Sequence, residues 1–183
     1  DHLIKFNAMF IDTLKQAIKG AEQEQNLVTI GITPTYPETG YGYINFASKG
    51  AENGAYEVVR FVEKPDIERA KQYVNSGEYL WNSGMFVWKT SSILKNIEKF
   101  LPEMYKTLDK ISASYGTDSF DEVLEREFPL IKGESIDFGV MEKADDIYTI
   151  PGNFGWDDVG SWLALERVNP TNEYGNMISG DVV

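Results

Sequence analysis

Apolar residues near the start of the chain recur at intervals of three or four positions: Leu3, Phe6, Phe10, Leu14 and Ile18. This spacing matches one face of an α-helix, and Gly20 follows as a common helix-ending residue. The pattern predicts a helix over residues 3–19. Because the chain opens on Asp1 and the helical pattern begins at once, we expect the first residue to fall inside a domain, with a processed terminus as the alternative.

Segments rich in β-branched and aromatic residues predict strands along the rest of the chain. Residues 27–32 form a nearly continuous apolar run, typical of a strand buried on both faces. Residues 41–46 and 56–62 predict a hairpin, since the segment between them has a turn-like composition. Shorter strands are predicted over residues 85–88 and 147–150.

Helix signals lie between the predicted strands. Asp66 is predicted to cap the start of a helix that Gly77 ends. Further helices are predicted to start near Thr90 or Ser91, Leu101, Phe120, Val140 and Ser161. Strands that alternate with helices indicate an α/β fold.

The composition changes after the last predicted helix. Residues 169–176 resemble a linker in composition, and residues 177–183 are apolar again. We therefore expect one domain over residues 1–168, followed over residues 169–183 by a linker and the start of a truncated β element.

The charge balance excludes several classes of function. The 183 residues include 17 Lys plus Arg, 29 Asp plus Glu, one His and no Cys, which gives a formal charge of −12. Such an acidic chain is not expected to bind nucleic acid or an anionic membrane. The lack of Cys excludes disulfides and thiolate metal sites, and it fits a cytoplasmic protein. No apolar run approaches the roughly 18 residues of a membrane span.

Two charged residues follow the strand predicted over residues 56–62. Glu63 and Lys64 come directly after residue 62, and Pro65 then turns the chain. Open α/β sheets bind ligands at the carboxyl ends of strands, where a carboxylate can accept from sugar hydroxyls and a lysine can meet a phosphate. A solvated surface ion pair is the alternative interpretation.

Two further segments carry groups that suit a ligand. Gly42 could let the backbone approach a ligand beside the ring of Tyr41, although this segment lacks the third glycine of a dinucleotide-binding fingerprint. Asn82 and Ser83 are predicted to lie in a turn, where the amide can pair with a hydroxyl. A glycine bulge and a turn-capping Asn are the alternatives.

Asp157 and Asp158 form an adjacent pair of carboxylates. Neighbouring residues in a strand point to opposite sides, so these two cannot face each other as an acid/base pair. One of them could hold a hard cation such as Mg²⁺ together with a carboxylate from elsewhere, while the other caps the following helix or bonds to the backbone. Capping by both residues is the alternative.

Taken together, these segments resemble the mannose-1-phosphate guanylyltransferases, a branch of the sugar-nucleotide pyrophosphorylases. The matching segments occur in the order and spacing of that family: Asp1-His2, Thr39–Ile44, Glu63–Pro65, Trp81–Gly84, Ser135–Lys143 and Gly155–Trp162. The resemblance covers the chain to about Trp162. It implies part of a Rossmann-like nucleotidyltransferase domain, with a mixed, mainly parallel sheet flanked by helices and with its first strands missing.

The resemblance also implies a reaction, in which GMP passes from GTP to mannose 1-phosphate to give GDP-mannose and pyrophosphate. The attacking phosphate oxygen is already anionic near neutral pH, so catalysis needs positioning and charge neutralisation more than a strong base. By resemblance, Asp1 and Asp158 bind Mg²⁺. Asp158 and Lys64 are the implied catalytic residues, and Lys64 approaches the sugar phosphate.

The sugar-binding residues implied by the resemblance come from three segments. Glu63 and Asn82 hold the sugar hydroxyls, and Tyr41 and Gly42 line the sugar pocket. Phe138 has no implied role, because the family usually has Tyr at this position.

One part of the family pattern is absent from the sequence. The glycine-rich nucleotide loop, G-x-G-x-R-L-x-P-L, does not occur in it. Without this loop, the chain alone is expected to be inactive in the transfer. Two alternatives stay open: a catalytically inactive fragment that keeps only the sugar-phosphate half-site, and a metal-dependent glycosyltransferase that uses Asp157 and Asp158 as its acidic motif. The oligomeric state is also open, with a homodimer as one option.

Overall fold

The computed structural model describes residues 1–23, 26–47, 54–160 and 162–177. The strands are β1 (His2–Ile4), β2 (Leu27–Ile32), β3 (Tyr43–Phe46), β4 (Tyr56–Val62), β5 (Tyr79–Trp88), β6 (Ile147–Gly152) and β7 (Trp156–Asp158). The α-helices are α1 (Asn7–Ala21), α2 (Ile67–Ser76), α3 (Thr90–Phe100), α4 (Pro102–Ala113), α5 (Phe120–Glu127) and α6 (Trp162–Val168). A 3₁₀ turn (Phe128–Leu130) and a π-helix (Asp137–Met141) complete the described elements.

The chain forms two compact units. The larger unit comprises residues 13–152, and the smaller comprises residues 1–12 together with 153–183. No helix in the described part of the chain combines the length and the apolar character that a membrane span requires.

The strands of the larger unit close into a barrel in the order β2-β5-β3-β4-β6. β2 and β6 pair in parallel, whereas the other four pairs are antiparallel. The predicted α/β class and mixed sheet are confirmed. The prediction of a mainly parallel sheet is wrong for the described pairs.

The position of β3 explains this error. β4 and β5 are connected by α2, and both run antiparallel to β3, which lies between them. They are therefore parallel to each other, as a strand–helix–strand unit predicts, but they are not neighbours. Strand–helix alternation in the sequence does not reveal that an antiparallel strand separates them.

The interior of the larger unit is built around β2, whose six residues are all buried. The buried core residues that pack together are Leu27, Ile44, Phe61, Leu80, Ile93, Val140, Met141 and Ile147. The strands predicted over residues 27–32 and 56–62 are confirmed, as is the β3–β4 hairpin, although residues 48–53 of its connection lie outside the described part.

Helix α2 has the ends that the sequence predicts. Asp66 Oδ1 accepts a hydrogen bond of 2.9 Å from the backbone N–H of Arg69, so Asp66 is the N-cap. Gly77 ends the helix with a φ of 69°, a left-handed conformation that glycine adopts without steric cost.

The first predicted helix is wrong at both ends. Leu3 lies in β1 opposite Asp157, and α1 begins only at Asn7. The spacing of apolar residues does not separate a short strand from the helix that follows it. Helix α1 also continues through Gly20, where a Cβ would lie 3.3 Å from Val28 Cγ2, so this glycine allows close packing against β2.

The smaller unit contains the antiparallel pair β1–β7. The carbonyl of Phe154 accepts hydrogen bonds from the backbone N–H groups of Lys5 and Phe6, at 3.1 and 3.0 Å. Its fully buried ring packs edge-on against Phe10. The β element predicted to begin near residue 177 falls on residues 178–183, which lie outside the described part.

Candidate active site

Glu63 follows the last residue of β4 and carries a largely buried carboxylate. Its side chain is 8% exposed, and Oε1 accepts a hydrogen bond of 2.9 Å from Lys64 Nζ. Oε2 is buried and has no hydrogen-bond partner among the described residues. Because buried polar atoms are nearly always paired, this oxygen is an acceptor suited to a ligand donor.

The surroundings of Glu63 disfavour its ionised form. Burial raises the pKa of Glu63, the hydrogen bond from Lys64 partly offsets this, and the nearby carboxylates of Asp137 and Glu142 raise the pKa further. The hydrogen bond to Glu63 raises the pKa of Lys64 in turn. The Lys64 side chain is 58% exposed, so its ammonium stays charged and open to an anionic ligand.

The backbone of Lys64 is strained. Its φ of 45° lies in the left-handed region, and it is the only non-glycine residue with positive φ in the described ranges. This conformation costs a residue with a Cβ roughly 1–2 kcal/mol. Such strain persists where the surroundings hold it in place, and it concentrates at functional sites.

Gly42 brings two other segments close together. Its carbonyl accepts a hydrogen bond of 2.8 Å from the backbone N–H of Asn82. A Cβ at residue 42 would collide with Glu63 Oε2 and lie 3.1 Å from Asn82 Cβ. The structure therefore places Gly42, Glu63 and Asn82 together. Tyr41 precedes this glycine, and its ring packs edge-on against Trp81 at 5.4 Å.

Asn82 and Ser83 lie inside β5, so the prediction that they form a turn before a strand is wrong. β5 starts at Tyr79 and contains a bulge, because Asn82 pairs with Gly31 whereas Phe86 pairs with Thr29. Asn, Ser and Gly favour turns and bulges alike, which explains why the local sequence resembles a turn.

Three hydrogen bonds fix the side-chain amide of Asn82. Oδ1 accepts from Thr29 Oγ1 at 3.2 Å and from the backbone N–H of Gly84 at 3.1 Å. Nδ2 donates to Asp137 Oδ1 at 3.0 Å. Since an amide nitrogen carries two hydrogens, the bonds among the described residues leave one donor of Asn82 for a ligand.

Asp137 is a site residue without a role in the sequence-based prediction. It lies in the Ser135–Lys143 segment that resembles the family, but it meets Asn82 across 55 positions of sequence. No local pattern in the sequence indicates this partner. The family-like segment is the only signal that points to this region.

In the smaller unit, the adjacent carboxylates of β7 have different partners. Asp157 forms a two-pronged ion pair with Arg167 of α6, at 2.9 and 3.0 Å. The Asp158 side chain is 34% exposed. The two carboxylates therefore act separately, as strand alternation predicts.

Asp1 and Asp158 are the two residues for which the family resemblance implies a metal site. Both residues lie at the end of the β1–β7 pair, where the N–H of Val159 donates to the carbonyl of Asp1 at 2.7 Å. The described residues contain no cluster of three or more His, Cys, Asp or Glu that could enclose a metal. Mg²⁺ is commonly held by one or two carboxylates together with water and substrate phosphates, and Asp1 and Asp158 each carry a carboxylate of this kind.

Comparison with known proteins identifies related sequences. Residues 1–174 match the family described as Nucleotidyl transferase. The mannose-1-phosphate guanylyltransferase of Salmonella montevideo is 43% identical over 189 aligned residues, which cover 100% of this chain and 40% of that protein. Xanthan biosynthesis protein XanB of Xanthomonas campestris pv. campestris (strain B100) is 44% identical, with 100% and 38% covered. The chain spans about two fifths of the length of the curated relatives it matches.

Solved structures share the fold. A crystal structure described as mannose-1-phosphate geranyltransferase from Thermus thermophilus superposes with a TM-score of 0.80 at 36% identity, over 92% of this chain and 47% of that one. A structure described as mannose-6-phosphate isomerase from Helicobacter pylori gives a TM-score of 0.71 at 28% identity, over 86% and 61%. These similarities confirm the predicted α/β fold.

Proposed function

Because the chain belongs to the nucleotidyl transferase family, we propose that the full-length protein transfers GMP from GTP to mannose 1-phosphate. The products are GDP-mannose and pyrophosphate. The names of several relatives support this choice of substrates, since they are mannose-1-phosphate guanylyltransferases.

The observation that carries the proposal is the Oε2 atom of Glu63, which has no hydrogen-bond partner within the part of the chain that the structure describes. It lies against Gly42, and Asn82 lies against the same glycine with one amide hydrogen left to donate. A sugar hydroxyl both donates and accepts hydrogen bonds, so adjacent hydroxyls can pair with this acceptor and this donor. A buried acceptor and a fixed donor are the groups that sugar recognition needs.

The position of Lys64 supports the proposal that the substrate carries a phosphate. Its ammonium is exposed and lies 2.9 Å from Glu63 Oε1, beside the oxygen that we assign to a hydroxyl. A sugar phosphate carries both kinds of group, so one ligand can bind Glu63 through a hydroxyl and Lys64 through its phosphate.

The chemical step needs little from the protein beyond positioning. An oxygen of the sugar phosphate attacks the α-phosphorus of GTP, a new P–O bond forms, and the bond to the β-phosphate oxygen breaks to release pyrophosphate. The second pKa of a phosphate monoester is about 6, so near neutral pH no proton has to be removed from the attacking oxygen. Lys64 neutralises charge and orients the attacking phosphate.

We propose that Asp1 and Asp158 hold Mg²⁺ through their carboxylates. When bound, Mg²⁺ offsets the negative charge of the phosphates during the transfer. The ion pair with Arg167 gives Asp157 a structural role, which leaves Asp158 as the carboxylate of β7 that can bind a cation.

The test is pyrophosphate release by the full-length protein supplied with GTP, mannose 1-phosphate and Mg²⁺. The proposal predicts pyrophosphate and GDP-mannose in equal amounts, and no turnover when mannose 1-phosphate is omitted. A metal-dependent glycosyltransferase would instead transfer a sugar from a nucleotide sugar to an acceptor, without pyrophosphate. That outcome would overturn the proposal.

A further inference from the structure

The π-helix Asp137–Met141 and the residue that follows it contact both residues that we assign to sugar hydroxyls. Asp137 is its first residue, and Glu142 follows its last. Asp137 Oδ1 accepts from Asn82 Nδ2 at 3.0 Å, and Glu142 Oε1 accepts from the backbone N–H of Glu63 at 3.1 Å. One short element thus supplies a carboxylate to each side of the candidate site.

The π-helix is a rigid base for these two carboxylates. Gly139, Val140 and Met141 are buried, and the last two belong to the hydrophobic core. A Cβ at Gly139 would come within 2.9 Å of Leu101 Cδ1, so the backbone packs closely at this point. π-helices are rare and occur frequently at functional sites.

Asp137 completes the set of bonds that orients the Asn82 amide. Thr29 and Gly84 donate to the amide oxygen, and Asp137 accepts from the nitrogen. With both ends held, the amide cannot rotate by half a turn, so its remaining hydrogen has one direction. Without Asp137, both amide hydrogens would be free and the nitrogen would have no anchor.

Glu142 acts on the other side of the site through the backbone. It accepts from the N–H of Glu63, directly before the strained backbone of Lys64. This bond fixes the peptide from which the Glu63 carboxylate projects. It also supports the neighbouring strained conformation, which would otherwise relax toward a more common φ.

We propose that Asp137 and Glu142 are positioning residues that set the selectivity for the sugar, an inference that rests on the proposed function. Mannose 1-phosphate and glucose 1-phosphate differ in the orientation of a single hydroxyl. Discrimination between them requires a donor and an acceptor with fixed directions, because mobile groups would follow either epimer. Asp137 fixes the donor on Asn82, and Glu142 fixes the acceptor on Glu63.

The experiment compares four variants and one control variant of the full-length protein by steady-state kinetics with both sugar phosphates. Asp137→Ala and Glu142→Ala should each lower kcat/KM for mannose 1-phosphate about 10- to 100-fold. Both should also lower the sugar ratio, which is kcat/KM for mannose 1-phosphate divided by kcat/KM for glucose 1-phosphate. The KM for GTP should stay unchanged. Asp137→Asn and Glu142→Gln keep a neutral acceptor of the same shape, so they should recover most of the ratio. Asp145→Ala is the matched control, since Asp145 is an exposed acid three positions after Glu142.

The outcomes separate this inference from the proposed function. If the wild-type protein releases no pyrophosphate, the proposed function fails, and calorimetric binding of the two sugar phosphates to wild type and Asp137→Ala then tests the positioning role. An active wild type with an unchanged sugar ratio in both Ala variants overturns the inference. Asn and Gln variants no better than the Ala variants would also overturn it, because they would point to charge and not to hydrogen-bond direction.

A further variant tests the inference if an Ala variant fails to fold. Thermal unfolding and circular dichroism show whether the Ala variants fold. If Asp137→Ala does not, Thr29→Val removes a bond from the other end of the same amide while keeping the side-chain shape. The inference predicts that Thr29→Val narrows the sugar ratio, and an unchanged ratio overturns it.

Discussion

The carboxylate of Glu63 occupies the space that a side chain on residue 42 would need. A Cβ built on Gly42 collides with Glu63 Oε2, the buried oxygen that has no partner among the described residues. The absence of a side chain at residue 42 therefore allows the buried carboxylate to lie against the backbone. This pair is the structural centre of the proposed sugar site.

The first prediction follows from this contact. Gly42→Ala should push the Glu63 carboxylate away and lower kcat/KM for mannose 1-phosphate, by about 1–3 kcal/mol or roughly 5- to 150-fold. Gly133→Ala is the control, because a Cβ at Gly133 meets nothing within 4 Å. Equal kinetics for the two variants would contradict the close packing at Gly42.

The second prediction uses the strained backbone of Lys64. At a φ of 45°, Gly avoids the steric cost that Lys and Ala share. Lys64→Gly should therefore be more stable to urea than Lys64→Ala by about 1 kcal/mol. Both variants lose the ammonium, so both should lose pyrophosphate release. Equal stability of the two variants would show that Lys64 is not strained in solution.

The third prediction concerns pH. Burial raises the pKa of Glu63 above its ordinary 4.5. The nearby carboxylates of Asp137 and Glu142 raise this pKa further, whereas Lys64 lowers it. A raised pKa means that the stabilising contribution of Glu63 is fully present below pH 4.5 and is lost as the pH rises through the folded-state pKa. Near neutral pH this stabilising contribution is therefore smaller than it is in acid.

Glu63→Gln should accordingly raise the free energy of unfolding at pH 7. The gain should shrink toward pH 4, where the carboxyl group becomes protonated in both the folded and the unfolded chain. Urea unfolding of the variant and the wild type at the two pH values checks this. A gain that does not change with pH would rule out burial of the charge as its cause.

The fourth prediction separates the two carboxylates of β7. Asp158→Asn should abolish pyrophosphate release and weaken the apparent affinity for Mg²⁺, because a neutral amide replaces a charged oxygen. Asp157→Asn should have a milder effect on activity and lower stability by at most about 1 kcal/mol, since it weakens a partly exposed ion pair with Arg167. A reversed order of severity in Mg²⁺ titrations would contradict the assignment.

Local signals in the sequence predict the local parts of this structure well. The cap at Asp66, the helix end at Gly77 and the buried strand over residues 27–32 depend on neighbouring residues, and all three are confirmed. The segment from Glu63 to Pro65 likewise predicts the end of a strand followed by a turn.

The parts that the sequence does not predict depend on contacts between distant residues. Asn82 resembles a turn residue because a bulge and a turn favour the same residue types, and only pairing with β2 distinguishes them. Asp137 meets Asn82 across 55 positions, a partner that no local pattern encodes. The direction of strand pairing likewise depends on where β3 inserts between β4 and β5.

The central claim is that Glu63 and Asn82 recognise the sugar of mannose 1-phosphate, and steady-state kinetics of Glu63→Ala and Asn82→Ala in the full-length protein tests it most directly. An unpaired buried polar group costs about 1–3 kcal/mol, or about 5- to 150-fold in selectivity. Both variants should therefore lower kcat/KM for mannose 1-phosphate and narrow its preference over glucose 1-phosphate, while the KM for GTP stays nearly the same. If Glu63 only formed a surface pair with Lys64, its removal would have almost no kinetic effect. Unchanged discrimination between the two sugars in both variants would contradict the claim.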